Sequence, residues 1–122
     1  MASNKIFNFG PVALSNTLTT NILNPNATSG GVNDNSTALY IVLRHIRIVN
    51  KTAGAVTFSL WLGATGANTA GTEVIGTGVS IAANSYFDWY GVMRLDTAQF
   101  LVGGASAATS LTIQGEGEVG VA

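Results

Sequence analysis

The segment Val56-Thr57-Phe58-Ser59-Leu60-Trp61-Leu62 alternates: its even positions are all large and apolar, while Thr57 and Ser59 are small and polar. A β-strand sends successive side chains to opposite faces, so a period of two describes a strand with one face in a core. Trp61 departs from the pattern, as a large ring on the polar parity. Similar segments recur between clusters of Gly, Asn, Ser and Thr, and no segment of comparable length carries a helical stripe. Strands are predicted over Lys5–Phe9, in a broken stretch from Val12 to Leu23, and over Leu39–Val49, Val56–Leu62, Thr72–Ile75, Val79–Ile81, Tyr86–Leu95, Phe100–Val102 and Leu111–Val121. About eight strands at this spacing predict an all-β chain, a single antiparallel β-sandwich of jelly-roll-like or immunoglobulin-like topology over residues 1–122.

Leu39–Val49 is long, β-branched and free of Gly and Pro, which predicts a central strand. Its alternation changes phase near Arg44: Leu39, Ile41 and Leu43 share one parity, Ile46 and Ile48 the other. That change predicts a bulge, or a strand whose two faces are covered at different ends. The turn Asn50-Lys51-Thr52-Ala53-Gly54 is short enough for a hairpin, so Leu39–Val49 and Val56–Leu62 are expected to be antiparallel neighbours. The longest loop is expected at 24–36, with others at 63–71 and 103–108, and Asp96 is placed to cap one helical turn through Phe100.

Charge narrows the partners. Hydrophobic residues make up 47% of the 122-residue chain and charged residues 9%, against a usual charged share of roughly 25%. A surface so lightly charged is easily buried against copies of itself or a partner. The formal net charge of −1 offers no basic footprint for nucleic acid or an anionic membrane. Without cysteine, disulfides and thiolate metal sites are excluded. No signal peptide and no membrane-spanning apolar run is read, so a soluble protein made in a cytoplasm is expected. The Asn-x-Ser/Thr sequences at Asn26, Asn35 and Asn50 are read as polar turn residues.

Catalytic chemistry finds little footing. The single histidine, His45, lies in an apolar strand between Arg44 and Ile46, and reads as a hydrogen-bonded residue at an interface or on a sheet surface. Glu116 and Glu118 share a strand parity, with Gly115, Gly117 and Gly120 on or near the other; this reads as a solvated face whose glycines admit a ring or another backbone. An enzyme would rest on Asp88, Glu116 and Glu118 alone. Asn33-Asp34-Asn35 lacks the later glycine and terminal glutamate of a calcium loop. No catalytic residue, cofactor or metal ligand is assigned. The most distinctive local feature is Tyr86-Phe87-Asp88-Trp89-Tyr90, where alternation places Phe87 and Trp89 on one face and Tyr86, Asp88 and Tyr90 on the other. Two ring-bearing faces suit either a contact surface or a central strand with its tyrosines at the rim.

In Leu43-Arg44-His45-Ile46-Arg47-Ile48-Val49-Asn50-Lys51-Thr52, in Leu60-Trp61-Leu62-Gly63-Ala64-Thr65-Gly66 and in Asp88-Trp89-Tyr90-Gly91, the chain resembles small decoration or accessory virion proteins of tailed bacteriophages. The resemblance runs from Leu39 to Val121. It implies a β-sandwich or jelly-roll module that assembles, often as trimers, over junctions between major capsid subunits and reinforces the shell. The implied partners are the major capsid protein and further copies of the chain, on a capsid surface built in the host cytoplasm. The family brings no catalytic residues. Residues 1–23 are expected to precede the regular sandwich as an arm reaching a neighbouring subunit, through Ile6, Phe9, Val12 and Leu14. The other interface candidates are Trp61, Tyr86, Trp89 and Tyr90. The alternative is a tail or neck accessory protein, or a receptor- or sugar-binding module with those four rings as its platform.

Overall fold

The alternating segments become the strands of two facing sheets. The computed structural model describes residues 5–23, 38–64, 66–96 and 99–121. Its strands are β1 (Lys5–Ala13), β2 (Asn21–Leu23), β3 (Ala38–Asn50), β4 (Val56–Gly63), β5 (Val79–Ile81), β6 (Ser85–Asp96), β7 (Phe100–Ala105) and β8 (Leu111–Val121). One sheet has the order β1-β8-β3-β6 and the other β2-β7-β4-β5. Every neighbouring pair is antiparallel. This is jelly-roll order, with two four-stranded sheets and the first and last strands paired, and it settles the choice against an immunoglobulin arrangement.

The inner faces of the two sheets supply the core. Phe58 and Leu60 of β4 meet Ile41, Leu43, Ile46 and Ile48 of β3, with Leu95 of β6, Leu101 of β7 and Leu111 and Ile113 of β8 around them, all buried. The phase change in β3 is a bulge. Leu43 and His45 oppose the consecutive residues Gly117 and Glu116 of β8, so Arg44 is the extra residue. It lets Leu43 and Ile46 both point inward.

The expected hairpin does not form. β3 and β4 lie in different sheets, and the turn between them crosses from one to the other. Asn50, read as a turn residue, is instead fully buried at the end of β3. Its Nδ2 donates to the carbonyl oxygens of Gly54 (2.9 Å), Ile81 (3.0 Å) and Ala82 (3.2 Å). Its Oδ1 accepts from the backbone N–H of Thr52 at 2.9 Å and from the Thr52 hydroxyl at 2.7 Å. One side chain thus fixes the crossing turn and anchors it to the end of β5. Of the consecutive strands, only β4 and β5 pair within one sheet.

The N-terminal segment also differs from expectation. Lys5–Ala13 does not precede the sandwich but is its outer strand β1, paired along β8 from Lys5 opposite Val119 to Ala13 opposite Thr112. Phe9 and Leu14 are buried in the core and present no surface to a neighbour in the single chain. The glycines of β8 explain the fit: a Cβ at Gly115 would collide with the Phe9 ring, and one at Gly117 with the carbonyl of Val42. The missing side chains admit a ring and a backbone, as the Gly-rich pattern predicts. The predicted strand Thr72–Ile75 is reduced to a single bridge between Glu73 and Trp61, with Ile75 at a φ of 69°. Asn26, Asn33, Asp34, Asn35 and the centre of the turn after Asp96 lie outside the described residues.

Candidate functional site

β6 buries large side chains at odd positions on both sides of a register slip, where Gly91 and Val92 stand opposite the single residue Arg44 of β3. Phe87, Trp89, Met93 and Leu95 face the core, so Tyr86, Asp88, Tyr90, Val92, Arg94 and Asp96 face outward. Three of them are the most exposed large apolar side chains described: Tyr86 at 59%, Tyr90 at 70% and Val92 at 70%. The neighbouring strand β3 sets His45 opposite Tyr90 and Arg47 opposite Asp88.

These outward residues brace one another. Arg47 donates from Nε to Asp88 Oδ1 at 2.8 Å and from Nη2 to Oδ2 at 3.1 Å, and His45 Nε2 lies 2.9 Å from the same Oδ1. The His45 ring stacks on Tyr90, with centroids 4.6 Å apart and planes 10° from parallel. The Arg47 guanidinium lies 4.7 Å from the centre of the Tyr86 ring, a cation–π contact. Further out, Arg44 pairs with Glu118 at 3.0 Å, while Arg94 pairs with Asp96 at 2.7 Å and covers the Tyr40 ring at 4.3 Å. Two exposed tyrosines are therefore held from beneath by an ion-paired layer.

The hydrogen bond from Arg47, and then that from His45, lower the Asp88 carboxyl from 3.8 to about 2; the same carboxylate raises Arg47 above its ordinary value. A carboxylate so acidic is a poor proton acceptor near neutral pH, where a general base works best with a value close to the operating pH. Asp88 is suited to positioning Arg47 and His45. Beside this network an open groove of about 320 Å³ is bordered by Asn8, Arg47, Gln114 and Glu116. Among the described residues, no three His, Asp or Glu side chains stand close enough to hold a metal ion.

The sequence places Tyr86, Asp88 and Tyr90 on one face and reads His45 as hydrogen-bonded at an interface or on a sheet surface; the three share the outward face of β6, and His45 lies part-buried beside them, bonded to Asp88. The four-ring platform is not assembled. Trp89 is turned towards the core, its ring against Gly91. Trp61 belongs to the other sheet and is 7% exposed, clustered with Phe100 and Val102. Val12 is partly buried against the core, and the side chain of Ile6 lies outside the described residues. Arg47 is the residue that sequence reading missed. Its two-residue spacing from His45 on one strand was the available signal, since it places both on one face.

No protein family matches the chain, and no curated protein matches it either. Among solved structures, the coat protein dimer of Tobacco streak virus aligns over 97% of this chain and 86% of that one, with 15% identity and a TM-score of 0.49. A second structure of the Tobacco streak virus coat protein, in a C2 crystal form, covers 98% and 86%, with 11% identity and a TM-score of 0.41. The fold is accordingly read from strand order and not from these alignments.

Proposed function

We propose that this chain is a structural protein of a virus particle, working through contact and not through catalysis, as a decoration protein that binds a phage capsid and reinforces it. The carrying observation is the outward face of β3 and β6, where Tyr86, Tyr90 and Val92 stand exposed over the bonded set Arg47, Asp88 and His45. Tyrosine and arginine dominate interface energetics, and rings already held in place lose little freedom on binding.

Two further features support the reading. Jelly rolls serve in viral capsid and lectin domains and in cupins, although a fold by itself does not assign a function. The resemblance of three segments to phage decoration and accessory proteins selects the virion among these. The partners are then the major capsid protein and other copies of the chain, at the capsid surface.

Co-sedimentation tests the proposal. Capsids of the phage that encodes the chain, prepared without it, should bind the purified protein saturably and withstand a higher temperature once decorated. Tyr86→Ala and Tyr90→Ala together should reduce the bound fraction without unfolding the domain. A protein that stays in the supernatant and leaves shell stability unchanged would overturn the decoration role.

A further inference from the structure

The outward side chains of the sheet β1-β8-β3-β6 stand in rows. Asn8, Glu116, His45 and Tyr90 oppose one another in turn across its strands, and Gln114, Arg47 and Asp88 form the next row. That second row stops at β8. Gly10 and Pro11 of β1 bulge opposite the single residue Gln114, and Gly10 packs so closely on Ile113 and Gln114 that a Cβ there would collide. The groove of about 320 Å³, bordered by Asn8, His45, Arg47, Gln114 and Glu116, opens beside this bulge. Bulges are over-represented next to active sites, where they re-aim side chains or end a pairing.

The polar groups of the groove are of two kinds. Asp88 holds Arg47 through two hydrogen bonds and His45 through one, so both are fixed before any ligand arrives. An ionised carboxylate only accepts, so His45 donates from Nε2, and its Nδ1 is left as an acceptor in the neutral ring. Arg47 engages Asp88 through Nε and Nη2, which leaves the Nη1 protons. The Gln114 amide and the Glu116 carboxylate take part in no side-chain hydrogen bond or ion pair among the described residues.

Charge decides among ligands. Glu116 repels an anion and Arg47 a cation, so an ion of either sign is opposed by one wall. An apolar group would strip water from these side chains and return no hydrogen bond. A neutral molecule whose adjacent hydroxyls each donate and accept satisfies both walls, and hydroxyls carried on a rigid ring lose little freedom on binding. The volume lies at the small end of ligand sites, which run about 300–1,000 Å³, and suits a sugar ring better than a peptide segment.

We propose that this groove binds a sugar residue through its hydroxyl groups: Glu116 and His45 accept, Arg47 donates and Gln114 does both. The site goes beyond the contact role. It lies on the β1 and β8 side of His45, whereas Tyr86 and Tyr90 lie on the β6 side, and its test uses the isolated chain.

The isotope-labelled chain is titrated by NMR with D-glucose, D-galactose, D-mannose and N-acetyl-D-glucosamine, each alone, and with glycerol as a flexible comparison. At least one sugar should shift the backbone amide signals of His45, Gln114 and Glu116 saturably. Glu116→Ala should weaken that binding about tenfold, as loss of a hydrogen bond to a charged group does, with the rest of the spectrum unchanged. Glu118→Gln, which removes the charge paired with Arg44 outside the groove, should bind as the native chain does. No saturable shift with any of these sugars, an equal response to glycerol, or equal binding by Glu116→Ala would overturn the site. A Gln114→Ala chain that loses capsid co-sedimentation, where the native chain shows no sugar response, would make the groove a protein contact and overturn the proposal too. Capsid co-sedimentation of the native chain decides the virion role separately.

Discussion

Arg47 and Asp88 face each other across β3 and β6 and share two hydrogen bonds, of 2.8 Å and 3.1 Å. The pair is the centre of the braced face, since Tyr86 lies against the guanidinium and His45 shares the carboxylate.

The first prediction concerns acid. The Asp88 carboxyl is held at about 2 when folded, against 3.8 for an unperturbed aspartate. The unfolded chain therefore binds more protons between these values, and the contribution of Asp88 is present above 3.8 and lost as the pH falls towards 2. Urea midpoints measured down this range should fall for the native chain. Asp88→Asn should show a shallower decline; an identical decline would mean that the pair does not link folding to pH.

Gly115 should not tolerate a side chain. A Cβ there meets the ring of Phe9 and the carbonyl of His45, and overpacking of this kind costs about 1–3 kcal/mol. Gly115→Ala should lower the thermal midpoint, and adding Phe9→Leu should return part of the loss by relieving the ring contact. Simple additivity of the two changes in a double-mutant cycle would refute the coupling.

Trp61 is a packing residue in this fold. Its removal in Trp61→Ala should destabilise the domain by about 3–5 kcal/mol, read from chemical denaturation. Capsid binding per folded molecule should be unchanged, whereas a stable Trp61→Ala protein with lost binding would return Trp61 to the contact surface.

Asn50 ties β3, the crossing turn and β5 together while fully buried. Asn50→Ala strips a partner from the buried Ile81 carbonyl and from part-buried groups of Gly54, Ala82 and Thr52, and a buried polar group left unsatisfied costs about 1–3 kcal/mol. The variant should show faster hydrogen exchange at Thr52 and Ile81 and a lower denaturation midpoint. Exchange unchanged at both positions would show that the turn holds without it.

The sequence by itself determined local properties: most strands from alternation, an irregularity near Arg44 from a change of phase that left a bulge and a two-faced strand both open, and the two-sided display of β6 from the parity of Tyr86 to Tyr90. Each depends on residues a few places apart, where the geometry of an extended chain suffices. The tertiary structure decided what depends on distant pairings. β1 pairs with β8, and β3 is flanked by β8 and β6, so Phe9 became core and β3 and β4 parted into separate sheets. No local pattern records which strand lies next to which, because the hydrogen bonds that join strands are backbone bonds that every residue can make, proline lacking only the donor. Trp61 and Arg47 follow the same rule. Alternation fixes the face that each side chain takes, while only the packing of distant strands decides whether that face meets solvent, an ion partner or other apolar residues.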